Sequence, residues 1–143
     1  MADAQQSYSL PRSASRATAD LILKTFRNWE VGVGNAVARD SKGAPVREES
    51  GELSPVTFDP AHDDLVGPER LWKACDEGFP IFSGGAIVAQ ATFQHGEANF
   101  DITETGLRAT DPATGQKVLF SRVPKDQGTK RGGTWRALIE LVL

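Results

Sequence analysis

The bond-making chemistry open to this chain rests on two histidines, one cysteine and scattered carboxylates. Asp59, His62, Asp63 and Asp64 gather carboxylate and imidazole groups in one short stretch. Those are the donor types that hold a divalent cation. The stretch lacks the glycine hinge and distal glutamate of a calcium loop, so it reads as an acidic surface turn open to a basic partner, and no metal is expected. His95-Gly96-Glu97 marks a tight turn, so its imidazole is expected at an exposed tip. Glu97, Asp101 and Glu104 follow, but the turn gives no reason for two of them to share a face, as a general acid–base pair must. Cys75 lies between Trp72 and Phe79 and reads as a small buried hydrophobe rather than a nucleophile. No catalytic residue is assigned.

Glycine-rich phosphate cradles are missing as well. Gly32-Val33-Gly34-Asn35 has too few glycines for a dinucleotide fingerprint and follows a helical pattern, whereas the fingerprint follows a strand. Gly84-Gly85 precedes a strand and cannot aim a helix N-terminus at a phosphate. The one basic glycine-rich stretch runs from Lys125 to Gly133, with Lys130 and Arg131 inside it. Three cations on a loop can meet phosphates. Asp126 offsets one of them and no aromatic residue interleaves, so nucleic acid is expected only through this loop, if at all. Lys125, Lys130 and Arg131 are therefore candidate partner-binding residues. Tyr8 and Leu10 join them as the sizeable apolar groups of an otherwise polar start.

The elements that would position these groups follow from periodicity. Residues 1–14 read as an extended N-terminal arm, with Pro11 biasing Leu10 away from helical backbone. Residues 15–143 read as a single domain. Ile22, Phe26 and Trp29 recur at helical spacing, predicting a helix over 16–30, capped by Ser13 or Ser15 and stopped by Gly32 and Gly34. A polar, turn-rich excursion with no internal repeat follows, then an irregular stretch with one short strand near 55–58. Pro68, Leu71, Trp72, Cys75 and Gly78 predict a short second helix. From Phe79 onward the period is two: 87–93, 100–103, 107–110, 118–121 and 135–143 alternate, with turns too short for parallel crossovers. The expected fold class is α+β: a mainly antiparallel β meander or sandwich over 79–143, self-sufficient, carrying two helices and the arm.

Composition bounds the function. The chain has 143 residues, a net charge of −3 and a single cysteine, so no intrachain disulfide forms and no bulk basic surface exists for nucleic acid or anionic membrane. The polar start has no apolar signal core, and no apolar run reaches membrane-spanning length. The expectation is a non-enzymatic structural subunit of a homo-oligomer or larger assembly, such as a head–tail connection, tail or capsid-decoration component of a virion. It would work in the cytoplasm or in a particle assembled there, with neighbouring subunits as partners and no cofactor. Two other readings compete. One is a ligand-binding or enzymatic domain with a pocket lined by Trp29, Trp72 and Phe93. The other is an adaptor that adds a strand at the edge formed by the final segment.

Overall fold

A computed structural model describes residues 10–143. Helix α1 spans Arg12–Thr25, behind Pro11 as N-cap. No side chain caps it. Ser15 is instead buried, its hydroxyl directed at the carbonyls of Leu10 (3.5 Å) and Leu143 (3.3 Å). The helix starts earlier and ends earlier than 16–30. From Arg27 the chain is extended as β1, Arg27–Asn35. The physical reason lies in a second period that overlaps the first: Trp29, Val31 and Val33 alternate, and all three are buried as a strand face. The remaining strands are β2 (Glu69–Ala74), β3 (Ile81–Ser83), β4 (Ala86–Phe93), β5 (Asp101–Thr110), β6 (Lys117–Thr129) and β7 (Trp135–Val142).

These strands form two antiparallel sheets, a four-stranded one in the order β2-β1-β5-β6 and a three-stranded one in the order β3-β4-β7. Both contribute to one core. Trp29, Val31, Val33, Leu107 and Ala109 from the larger sheet meet Ala89, Ala91, Phe93, Ala137 and Ile139 from the smaller. Ile22, Leu23 and Phe26 of α1 pack against that core, and Phe26, Trp29 and Phe120 form an aromatic cluster with centroids 4.9–6.5 Å apart.

Three expectations are corrected here. The second short helix is strand β2: residues 69–74 pair with β1 from Glu30↔Ala74 to Asn35↔Glu69, so the edge of β1 overrides the helical spacing of Leu71, Trp72 and Cys75. The meander is absent, because β4 and β5 are consecutive in sequence yet lie in different sheets. The strand block also extends beyond residues 79–143, since β1 pairs with β5 and supplies Trp29, Val31 and Val33 to the shared core.

The glycines of β1 show how the larger sheet is covered on its other face. Gly32 and Gly34 are close-approach positions rather than helix stops. A Cβ on Gly32 would lie 2.6 Å from the Trp72 ring, and one on Gly34 would lie 2.2 Å from Glu104 Oε2. Onto this floor the segment 56–67 is laid as a strap. Glu104, fully buried in β5, accepts from Val66 N (3.0 Å) and Gly67 N (2.7 Å). Its Oε1 also takes the Nε–H of Arg122 from β6 at 2.8 Å. The Arg122 guanidinium reaches onward to the carbonyls of Val56 (3.0 Å) and Thr57 (3.3 Å). Both charges are thus out of water, paired, and hydrogen-bonded to backbone at two places on the strap.

Before the strap, residues 36–56 contain a repeat invisible to hydropathy. Ala38 N donates to Ser54 O, Ser54 N to Val46 O and Val46 N to Ala38 O, at 2.8–2.9 Å, closing a ring of three backbone bonds at eight-residue spacing. The two turns between these positions match: Arg39 and Arg47 each bond the carbonyl of a glycine four residues on, Gly43 and Gly51. Both glycines have positive φ (81° and 90°), which few other residues adopt. The signature is a small residue, Arg, an acid, two spacers and Gly, written once from Ala38 and again from Val46.

Two substitutions test the clamp. Arg122→Met leaves Glu104 buried without its cation and is expected to cost about 3–5 kcal/mol in urea unfolding. Gly34→Ala drives a methyl group into the Glu104 carboxylate and should cost roughly 1–3 kcal/mol. A loss below about 1 kcal/mol for Arg122→Met would show that the clamp does not hold the strap.

Candidate functional site

The sequence candidates fall at two separate places joined by β7. Leu10 is exposed and lines a groove of about 660 Å³ at the start of α1, together with Arg12, Arg16, Phe82 and Val142. Arg16 lies over the Phe82 ring at 5.2 Å, and Leu143 forms part of the same wall. Tyr8 lies outside the described residues. At the other end of β7, Arg131 and Lys130 line a cleft of about 220 Å³ with Ile102 and Trp135. The groove and the cleft share no lining residue. Leu10 and the basic stretch are therefore not one site.

The basic stretch is also less of a loop than its composition indicates. β6 continues through Lys125 to Thr129. Lys125 and Arg131 are exposed, whereas Lys130 is buried. Its ammonium donates to Gln94 O (2.7 Å) and Asn99 Oδ1 (2.9 Å), with His95 O at 3.5 Å. Gly132 N also donates to Asn99 Oδ1, and Gly133 N to His95 Nδ1. Lys130 thus ties the β6–β7 connection to the 94–99 turn, and the cations that face outward are Lys125 and Arg131.

His95 is exposed at its turn, as its setting indicates. His62 is half-buried, with Nδ1 buried and unpartnered in the structure. Its neighbour Asp64 turns to Trp72 Nε1 (2.9 Å) and the amide of Leu65 (2.7 Å) instead. Among the described residues, no group of three His, Cys, Asp or Glu side chains is placed to hold a metal ion. No described helix is long and apolar enough to cross a membrane. Burial pushes the Cys75 thiol up to about 11, with Asp76 and Glu30 adding to that rise. The aromatic pocket does not form: Trp29 and Phe93 are in the core, while Trp72 lies on the outer face beneath Arg108, 4.2 Å from its ring.

Several interacting charges escaped the sequence reading. Burial alone would raise Glu30, but hydrogen bonds from Arg108 (2.8 Å) and Lys117 (3.1 Å) outweigh it and hold the carboxyl below its usual range. Asp76, between β2 and β3, is held low chiefly by the Thr92 hydroxyl (2.6 Å) and then by Gln90 Nε2 (2.9 Å). Glu97 is held low by its contact with Lys73 and by Gln94 N. The side-chain partners are 14 to 87 residues apart in sequence, so no local spacing announces them.

Four edges bound the two sheets, and three are guarded. β3 has three residues. β2 carries Glu69, Arg70 and Lys73. β6 contains Pro124, pairs with β5 through two register shifts, and has its Arg122 and Asp126 side chains bonded to residues 53–57. β7 is eight residues long, holds no proline and, among the described residues, has no segment bonded over it; its charges are Arg136 and Glu140. It pairs with β4 alone, and Leu138 and Val142 on its outer face are 55% and 75% exposed.

The chain matches no family model, no curated protein and no solved structure.

Two measurements follow from the titrating groups. The Asp76 carboxylate has a lowered folded pKa, so its contribution is present above the ordinary carboxylate range and lost as pH falls through the folded value. Asp76→Ala should therefore cost at most about 1 kcal/mol at neutral pH and progressively less as pH falls below the ordinary carboxylate range, read by urea unfolding across that range. The raised Cys75 pKa leaves almost no thiolate at pH 8, so iodoacetamide should modify the native protein far more slowly than the urea-unfolded chain.

Proposed function

We propose that this protein is a non-enzymatic structural subunit of a homo-oligomeric or larger assembly, of the kind that forms head–tail connections, tails or capsid decoration in virions. Its site of action would be the cytoplasm or a particle assembled there. The observation that carries the reading is the distribution of exposed apolar side chains. Among the described residues, five of the eight exposed large apolar side chains, Leu10, Leu21, Ile81, Leu138 and Val142, lie on or beside α1, β3 and β7, while Val46, Phe58 and Val123 lie elsewhere. Hydrophobic surface gathered on a few elements marks a contact site more often than a catalytic one.

Leu10 lines the groove, and on this reading Tyr8 and Leu10 are the residues of the arm that contact a neighbouring subunit. Lys125 and Arg131 offer cations to an acidic neighbour, and nucleic acid phosphates would meet the subunit there if anywhere. Polar side chains tie strap, turns and strands together, which suits a subunit that must present fixed surfaces. The finer description of the fold as a β-sandwich with helices on its flank belongs to this same reading.

Deleting residues 1–9 tests the arm, because α1 begins only at Arg12. Light scattering on the full chain at two concentrations should show self-association that the deleted chain loses. A full chain that stays monomeric at both concentrations would contradict the proposal, and a deleted chain that associates equally well would remove the arm from it.

A further inference from the structure

The open edge of β7 has a definite chemistry. Ala86 pairs with Val142, so Gly85 stands opposite Leu143, and Leu143 N donates to Gly85 O at 3.2 Å. That bond makes the odd-numbered positions of β7 the ones whose backbone groups face β4. The amides and carbonyls of Arg136, Leu138, Glu140 and Val142 therefore point to the open side, where no described residue pairs with them. The side chains of the same four residues are all exposed.

Charged side chains are a common deterrent on edge strands, and they deter most where like charges would face each other. β7 carries one cation and one anion, Arg136 and Glu140, symmetrically placed about Leu138. Among the described residues neither takes part in an ion pair within 4.0 Å, although Arg136 is near enough to Asp76 to act on its charge. A strand so patterned is complementary to itself. With Leu138 set opposite Leu138 of a second, antiparallel copy, Arg136 faces Glu140 of that copy and Glu140 faces its Arg136. All three cross-strand pairs fall at positions whose backbone groups point outward, so each is a doubly hydrogen-bonded pair. Isologous contact of this kind closes as a dimer.

We propose that two copies of this chain associate through their β7 edges in this register, joining their small sheets into one six-stranded sheet in the order β3-β4-β7-β7-β4-β3. The inference rests on the assembly reading and names one of its contact surfaces. Charge complementarity selects a second copy over an unrelated strand: opposite charges directly across an antiparallel pair stabilise it, and like charges oppose it. Edge pairing alone makes a small interface, so the dimer should build up with concentration.

The test uses the full chain. Directly opposed residues in a hydrogen-bonded pair have Cα atoms about 5.5 Å apart, within disulfide reach. Leu138→Cys should give a covalent dimer on mild oxidation, with the wild type, whose one thiol is the half-buried Cys75, as the control. Arg136→Glu and Glu140→Arg, each alone, should weaken dimerisation about tenfold in sedimentation equilibrium, and the double exchange should restore it. These side chains are exposed, and circular dichroism of each variant confirms that it folds. Self-association that ignores both charge reversals, with no Leu138→Cys dimer, would overturn the β7 inference while leaving the assembly reading standing. A Leu138→Cys dimer together with an arm deletion that changes nothing would retain the edge and remove the arm.

Discussion

A charged pair with no access to water holds this fold in its particular form. Glu104 and Arg122 stand on adjacent strands, and each completes its hydrogen bonding on the backbone of a different part of one strap. A hydrophobic strap could slide over the sheet at little cost. This one cannot, because any shift leaves a buried carboxylate or guanidinium unmatched. The sheet is adapted to it in turn: Gly32, Gly34 and Gly106 leave room where Trp72, Leu65 and Glu104 need to lie. The same outer face then accommodates Arg108, placed over Trp72 with Glu30 at its Nε. Specificity of arrangement, more than net stability, is what such a pair contributes.

That arrangement divides the molecule. Strap and excursion shield the outer face of the larger sheet and the side chains of its β6 edge. The smaller sheet ends in β7, which has no such shield. The ends of β7 lie beside the two places that the sequence singles out, the Leu10 groove and the Arg131 cleft. Leu10, the strand edge and the basic connection thus lie along one strand, apart from the clamp. Lys130 helps by holding the approach to β7 against the 94–99 turn.

Strands with clean alternation were legible in the sequence. β4 and β7 lie within a residue of where Ile87, Ala89, Ala91 and Phe93, and then Trp135, Ala137, Ile139 and Leu141, place them. Reading failed where two periods overlapped or where a distant partner decided. Trp29 suits a helical stripe as well as a strand face, and only pairing to β5 settles it. Leu71, Trp72 and Cys75 suit a helix until β1 supplies an edge. Glu104 and Gly106 looked like a break between two strands, but one continuous strand carries both. Lys130 looked like a free cation because no local pattern reveals a buried ammonium whose acceptors lie more than 30 residues away. The eight-residue repeat was written in Arg39, Gly43, Arg47 and Gly51, residues that a hydropathy pattern passes over. The sheet order required every long-range pair at once.

The central claim is that the Glu104–Arg122 clamp makes the strap one cooperative unit with the sheets beneath it. Native-state hydrogen exchange of the Val66 and Gly67 amides tests this most directly, since both donate to Glu104. The account predicts that they exchange only through global unfolding, with the same opening free energy as the amides of Val31 and Leu107 in the core strands. Exchange of Val66 and Gly67 through a low-energy local opening, while the core strands stay protected, would contradict it.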